Sequence, residues 1–244
     1  MAGWKLEAAY SGLADDFGSL DAVFALQGDK ITRDAISEVI RVERGGVRYY
    51  VKRYKSAGKS FRRYIGRTRV RTECRNLKRF AKWGVPTSQV VACGLERNKG
   101  AFVRGALITQ ELSDTQDLAA MAKANDQRLL SAEWVNQVSE QIAEMTRRLH
   151  DNNFTHNDLK WRNLLVDGQA KVFLIDCPTG SFWWGVFLQY RIIKDLACLD
   201  KVAKYTLSRT QRLRFYLQYA RHQRLDKRDK KHIQQILKFF EGRE

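Results

Sequence analysis

The stretch His156-Asn157-Asp158-Leu159-Lys160-Trp161-Arg162-Asn163-Leu164-Leu165-Val166, followed by an apolar run ending in Leu174-Ile175-Asp176, decides how this chain is read. It sets an acid at Asp158, a cation two residues on, an amide five residues on, and a second acid 18 residues on. Those groups suit phosphoryl transfer from ATP. A carboxylate orients an attacking hydroxyl and accepts its proton, an Asn and a second Asp hold a divalent cation against phosphate oxygens, and a Lys neutralises the group in transit. The local context agrees: an apolar-periodic helix leads into the loop, and a turn at Asp167-Gly168 joins two short apolar runs behind it.

Composition sets the outer limits. The chain has 244 residues, 44% hydrophobic and 29% charged, enough for one large domain or two lobes sharing a cleft. Its formal net charge of +17 points to an anionic partner: nucleic acid, an anionic membrane face or a polyphosphorylated substrate. Cys74, Cys93, Cys177 and Cys198 form no CxxC pair and no metal spacing, so free thiols in a reducing compartment are expected. The N-terminus shows no signal pattern, and the most apolar stretch, Phe182 to Tyr190, is too short to span a bilayer. A cytoplasmic location is expected.

Residues 1 to about 28 are mixed and suggest only a leading strand or helix. Glu38 to Glu43 and Val47 to Tyr54 read as strands joined by Arg44-Gly45-Gly46, with Lys52 inside the second. Phe61 to Trp83 reads as a helix with Val70, Cys74, Leu77 and Ala81 on one stripe. From Arg44 to Arg79 there are fourteen Lys or Arg and a single acid, Glu73, which must be paired: with its helical neighbours Arg69 and Lys78, or with Lys52. Val85 to Gly94 and Ala101 to Leu112 read as strands, and Trp134 to Leu149 as a buried helix with Ser131 as N-cap. The aromatics Phe182, Trp183, Trp184, Phe187 and Tyr190 are expected in the core, with an acceptor site or a lipid surface as the alternatives left open. From Lys201 onward there are thirteen Lys or Arg against four acids, on what reads as two amphipathic helices.

On these residues the chain resembles the protein-kinase-like superfamily from about residue 29 to 200. Its loop His-Asn-Asp-Leu-Lys-Trp-Arg-Asn followed by Asp-Cys-Pro parallels the His-Arg-Asp loop and the Asp-Phe-Gly turn of that superfamily. Within the superfamily it is most similar to the bacterial lipopolysaccharide core kinases, through its compact size and the run Arg191-x-x-Lys194-Asp195-Leu196. The resemblance implies an α+β, two-lobed fold, with a small antiparallel-sheet N-lobe over residues 1–111 and a mainly helical C-lobe over 112–244. By position it implies Asp158 as catalytic base, Lys160 on the transferring phosphoryl group, and Asn163 and Asp176 as Mg²⁺ ligands. Lys52 is then the phosphate lysine with Glu73 as its anchor, Ser37, Glu111 and Leu112 meet the nucleotide, and His156 and Asp195 support the loop.

The departures narrow the acceptor. No glycine-rich loop precedes Glu38, Asn157 stands where protein kinases carry an Arg, and only 18 residues separate Asp176 from Asp195, too few for a peptide platform. The expectation is an ATP- and Mg²⁺-dependent kinase of a lipopolysaccharide core sugar, heptose first and Kdo second. Its acceptor is the core or lipid A-core, and it is peripheral at the cytoplasmic face of the inner membrane through basic patches on an anionic surface, with no nucleic acid as partner. An atypical Ser/Thr protein kinase and a non-catalytic kinase-fold module binding nucleic acid or membrane are the alternatives.

Overall fold

Two glycines set the hairpin that carries Lys52. In a computed structural model that describes residues 3–55 and 68–242, Gly45 and Gly46 sit at φ of 58° and 76°, joining β3 (Ser37–Arg44) to β4 (Val47–Tyr54). Two successive positive φ values make the tight turn whose twist matches that of the flanking strands. In the resulting register Lys52 lies opposite Val39.

The chain forms two units, one of residues 1–82 and 87–112 and the other of residues 83–86 and 113–244. The first is a six-stranded antiparallel sheet ordered β1-β5-β6-β4-β3-β2. It adds β1 (Lys5–Leu6), β2 (Asp29–Arg33), β5 (Val90–Asn98) and β6 (Ala101–Gln110) to the hairpin. The sequence expectation of a strand from Val85 starts too early, since β5 begins at Val90. Two short helices, α1 (Ala14–Phe17) and α2 (Leu20–Ala25), precede β2 and bury Phe17, Leu20 and Val23 against Val51, Val91, Ala92, Ala106 and Ile108. Arg53, 6% exposed, donates to the carbonyls of Val23 and Leu26 at 3.0 and 2.6 Å, so a buried guanidinium ties α2 to β4.

Helix α3 (Arg69–Lys82) buries Val70, Glu73, Cys74, Asn76, Leu77 and Phe80. The expected stripe holds except at its end: Ala81 is exposed and Phe80 is buried, a consequence of 3.6 residues per turn rather than four. The part of the expected helix from Phe61 to Arg67 lies outside the described residues.

The expectation of four free thiols is corrected. Cys74 on α3 and Cys93 on β5 are joined by a disulfide, with Cα atoms 6.4 Å apart, while Cys177 and Cys198 are free and buried. The two partners are 19 residues apart in sequence, and only the packing of α3 on β5 brings them together.

In the second unit, α5 (Ala132–Asp151) starts as expected, the Ser131 hydroxyl accepting from the Trp134 amide at 3.3 Å. Before it come β7 (Gln116–Asp117) and α4 (Leu118–Lys123). After it come β8 (Phe154–Thr155), β9 (Leu164–Val166), β10 (Val172–Leu174) and β11 (Ser181–Phe182). Small sheets β10-β9-β7 and β11-β8 pin the ends of the loop that opened the sequence reading. Helices α6 (Gly185–Thr206), α7 (Arg209–Ala220) and α8 (Lys227–Lys238) complete the unit around Leu188, Ile192, Leu196, Tyr216, Tyr219 and Ile236. The cores of α7 and α8 are thin, and each is started by a capping box, Ser208 with Gln211 and Asp226 with Asp229. Among the described residues no helix is long and apolar enough to cross a membrane.

Thiol titration of the denatured protein checks the cysteine pairing. Two thiols are expected without reductant and four after reduction.

Candidate active site

Strand alternation puts Lys52 and Tyr54 on one face of β4, and α3 lays Glu73 against them. The Lys52 Nζ is 3.0 Å from both carboxylate oxygens of Glu73, itself 4% exposed, and the Tyr54 hydroxyl donates to the same carboxylate. Of the two pairings open in the sequence, the structure has the one with Lys52. Tyr54 was missed, although its spacing of two from Lys52 was a readable signal.

The other residues expected near a nucleotide in this unit are engaged locally. The Ser37 hydroxyl donates to Asp34 Oδ2 at 3.2 Å, and the amides of Ile36 and Ser37 both donate to Asp34 Oδ1 at 2.6 Å. Those two amide bonds, first among the causes, hold the Asp34 carboxyl below its ordinary range. Glu111 pairs with Arg48 at 2.6 Å and accepts from the Tyr50 hydroxyl at 3.0 Å, while its amide donates to the Arg48 carbonyl at 2.9 Å. Its side chain is therefore engaged by residues of β4. Leu112 follows β6 and is half-buried.

In the second unit the loop is held from beneath. Asp195 of α6, fully buried, accepts from the amides of His156 and Asn157 at 2.7 and 2.8 Å. His150 of α5 places Nε2 3.5 Å from Asp195, and its Nδ1 meets the Tyr219 hydroxyl at 2.8 Å. This support from α5 and α7 was not read from the sequence, where His150 is one polar residue among many in an amphipathic helix. The His156 ring is fully buried, and burial, only partly opposed by Asp195, lowers its pKa and keeps it neutral.

Above that anchor Asp158 is half-exposed and receives two cations: Lys160 Nζ at 2.6 Å and Arg162 Nη2 at 3.2 Å. Burial alone would raise the Asp158 pKa, but the hydrogen bond and charge of Lys160, with help from Arg162, outweigh it and leave the carboxyl below its ordinary value. Arg162 was not anticipated in this position.

Asn163, 3% exposed, donates through Nδ2 to the Asp158 carbonyl at 2.8 Å, and its own carbonyl accepts from the Ile175 amide at 2.9 Å. The first bond fixes the amide group through its nitrogen, and the second ties Asn163 to the residue before Asp176. An amide oxygen and a carboxylate are hard donors of the type Mg²⁺ takes, so the residue pair fits such an ion.

Asp176 stands at φ 56° and Asn157 at φ 66°, both left-handed, a costly conformation for residues other than glycine. Asn157 compensates by donating to the Thr179 carbonyl at 2.9 Å and the Ser181 hydroxyl at 3.3 Å, fastening the Cys177-Pro178-Thr179-Gly180 turn to the loop. Gly180 is required there, since a Cβ would sit 2.4 Å from the Cys177 sulfur and 2.6 Å from the Phe154 ring.

Fold and site together define a kinase-like α+β protein. A solved structure, WaaP in complex with acyl carrier protein, has this fold, with a TM-score of 0.76 over 98% of this chain and 97% of that one at 24% identity. The model of the lipopolysaccharide kinase (Kdo/WaaP) family matches residues 22–219, and the chain belongs to that family. It is similar to the 3-deoxy-D-manno-octulosonic acid kinase of Actinobacillus succinogenes, with 30% identity over 124 residues, 48% of this chain and 49% of that protein. The Haemophilus influenzae enzyme of the same name is 29% identical over 125 residues, again 48% and 49% of the two chains. The match thus spans about half the length of these curated relatives.

Asp195→Asn replaces a charged acceptor of two amides with a neutral one. It is expected to cost about 2 to 3 kcal/mol of stability and to speed hydrogen exchange at the His156 and Asn157 amides. Unchanged exchange at those amides would show that the loop is held by other contacts.

Proposed function

We propose that this protein transfers the γ-phosphoryl group of ATP to a sugar hydroxyl of the lipopolysaccharide inner core. The observation that carries the reading is the Asp158 carboxylate, held below its ordinary pKa by Lys160 and Arg162, with Asn163 bonded to its carbonyl and to the Ile175 amide before Asp176, in a chain of the lipopolysaccharide kinase family. In this reading Asp158 orients the sugar hydroxyl and takes its proton. Lys160, 46% exposed at its side chain, swings from Asp158 to the phosphoryl group as charge develops there. Asn163 and Asp176 would hold Mg²⁺, which would supply neutralisation of the phosphate charge. Lys52, fixed by Glu73 and Tyr54, neutralises the α and β phosphates. Ser37 reaches phosphate by exchanging its bond to Asp34, and the chain at Glu111 and Leu112 meets the base.

The acceptor class follows from the family and from the short path between Asp176 and α6. Kdo stands beside heptose as acceptor, because the curated relatives carry the name of a Kdo kinase while the matched fold is that of WaaP. A lipid-linked acceptor puts the protein at the cytoplasmic face of the inner membrane, and a net charge of +17 favours that surface.

A second reading concerns partners. An apolar cavity of about 450 Å³ in the second unit is lined by Ile142, Leu196, Leu199, Ala203, Ile236 and Leu237, with the Asp200–Arg212 ion pair among its walls. It is of a size and polarity to take an acyl chain, which favours a carrier-protein partner of the kind seen with WaaP. Calorimetric titration is expected to show binding of acylated carrier protein and none of the unacylated form.

Phosphate transfer from Mg²⁺-ATP to under-phosphorylated core, read by product mass, is expected for the native chain and reduced at least about a thousandfold in Asp158→Ala. No transfer to any core sugar would sink the reading. The pH profile gives a separate check. Asp158 works ionised, so kcat/KM for the acceptor falls only as pH drops through its depressed pKa. Lys160→Ala removes the cation that depresses it, and the acid limb is expected to move to higher pH.

A further inference from the structure

The aromatic run before α6 does not all enter the core, contrary to the expectation from sequence. Phe182 and Trp183 are half-buried, but Trp184, Val186 and Phe187 are 67%, 78% and 67% exposed, and Tyr190 is 46% exposed. Large apolar side chains grouped on a surface mark a place where something else binds.

Helix geometry shows how the group is arranged. At 3.6 residues per turn, Val186, Phe187, Tyr190, Lys194, Lys201 and Tyr205 of α6 fall in one sector of roughly 100°. The opposite side carries Leu188, Ile192, Asp195, Leu196, Leu199 and Ala203, all buried. One face of a 22-residue helix is therefore packed into the unit, while the first turns of the other are open at Val186 and Phe187; further along, Ala197 is buried and Phe239 and Phe240 lie against Tyr190 and Lys201. No acid lies on that outer face, because Asp195 is buried and Asp200 is paired with Arg212 at 2.7 Å. From Cys177 to Lys194 there is no acid at all, while Arg191 stacks its guanidinium 4.6 Å from the Trp183 ring centroid.

We propose that the outer face of α6 lies in the headgroup region of an anionic phospholipid bilayer, with Trp184, Val186 and Phe187 inserted and Lys194 and Lys201 on lipid phosphates. Charge complementarity selects this occupant. A cluster of exposed bulky apolar side chains at the start of α6, followed by lysines on the same side, on a chain of net charge +17, matches an anionic interface. The same helix carries Asp195, which holds the His156 and Asn157 amides. Seating α6 on lipid therefore sets the distance of the Asp158 loop from the membrane. The purpose of the docking rests on the reading of the acceptor as lipid-linked, but the docking itself is measured without acceptor or nucleotide.

Flotation with vesicles of phosphatidylethanolamine and phosphatidylglycerol tests it. The native chain is expected to float with them and not with phosphatidylcholine alone. Trp184→Ser and Phe187→Ser are each expected to weaken partitioning about tenfold with an unchanged melting temperature, whereas Leu130→Ser, at an exposed apolar residue elsewhere, leaves it as it was. Brominated lipids are expected to quench the intrinsic fluorescence of the native chain, and Trp184→Phe to remove most of that quenching while binding persists. Partitioning indifferent to both serine substitutions overturns the proposal, as does a mass that doubles with concentration through this face in the absence of vesicle binding. Loss of flotation with full transfer to deacylated core sugar also overturns it and leaves the kinase reading standing. Docking without any sugar phosphorylation supports the membrane face and counts against the kinase reading alone.

Discussion

A single buried carboxylate carries the active-site loop. Asp195 has no contact with solvent, and it spends its charge on the backbone amides of His156 and Asn157. A buried charge without such donors is costly, so loop and helix α6 stabilise each other's placement. Everything reactive in the second unit is hung from that bond. Asn157 leaves it in a left-handed conformation and fastens the turn after Asp176, Asp158 follows one residue later, and Asn163 closes back onto the Asp158 carbonyl.

The first unit has a matching device. Glu73 is buried on α3 with two partners on β4, Lys52 and Tyr54, so the lysine proposed to meet phosphate is fixed by a carboxylate that is fixed in turn. The Cys74–Cys93 disulfide holds the residue next to Glu73 against β5. Both sites thus use the same physical logic: charges are positioned by covering them with protein donors on neighbouring elements, which leaves the reacting groups partly open.

Much of this was legible in the chain. The spacing of Asp158, Lys160, Asn163 and Asp176 is local and needs no tertiary information, and the glycine pair at 45–46 with period-two strands on either side names its hairpin. The buried stripe of α5 and its Ser131 cap are likewise properties of a single segment. The supporting groups were harder. Tyr54, His150, Arg162 and Tyr219 are ordinary residue types in ordinary segments, and their roles come from what faces them. The cysteines misled for the same reason, since a pair 19 residues apart with no motif reads as two free thiols until α3 packs on β5. The aromatic run misled in the opposite sense: hydrophobicity predicts burial, but α6 has only one face to bury, and Leu188, Ile192 and Leu196 already occupy it.

The sequence by itself determined the spacing of the candidate residues Asp158, Lys160, Asn163 and Asp176, the family resemblance they carry and the kinds of segment that hold them, because those follow from short-range spacing and from the chemistry of single side chains. Tertiary structure alone decided which charges pair, which cysteines join, how Asp158 is kept ionised and which side of α6 meets solvent. Those outcomes depend on segments far apart in sequence meeting at distances of a few ångströms, and no local pattern encodes that distance.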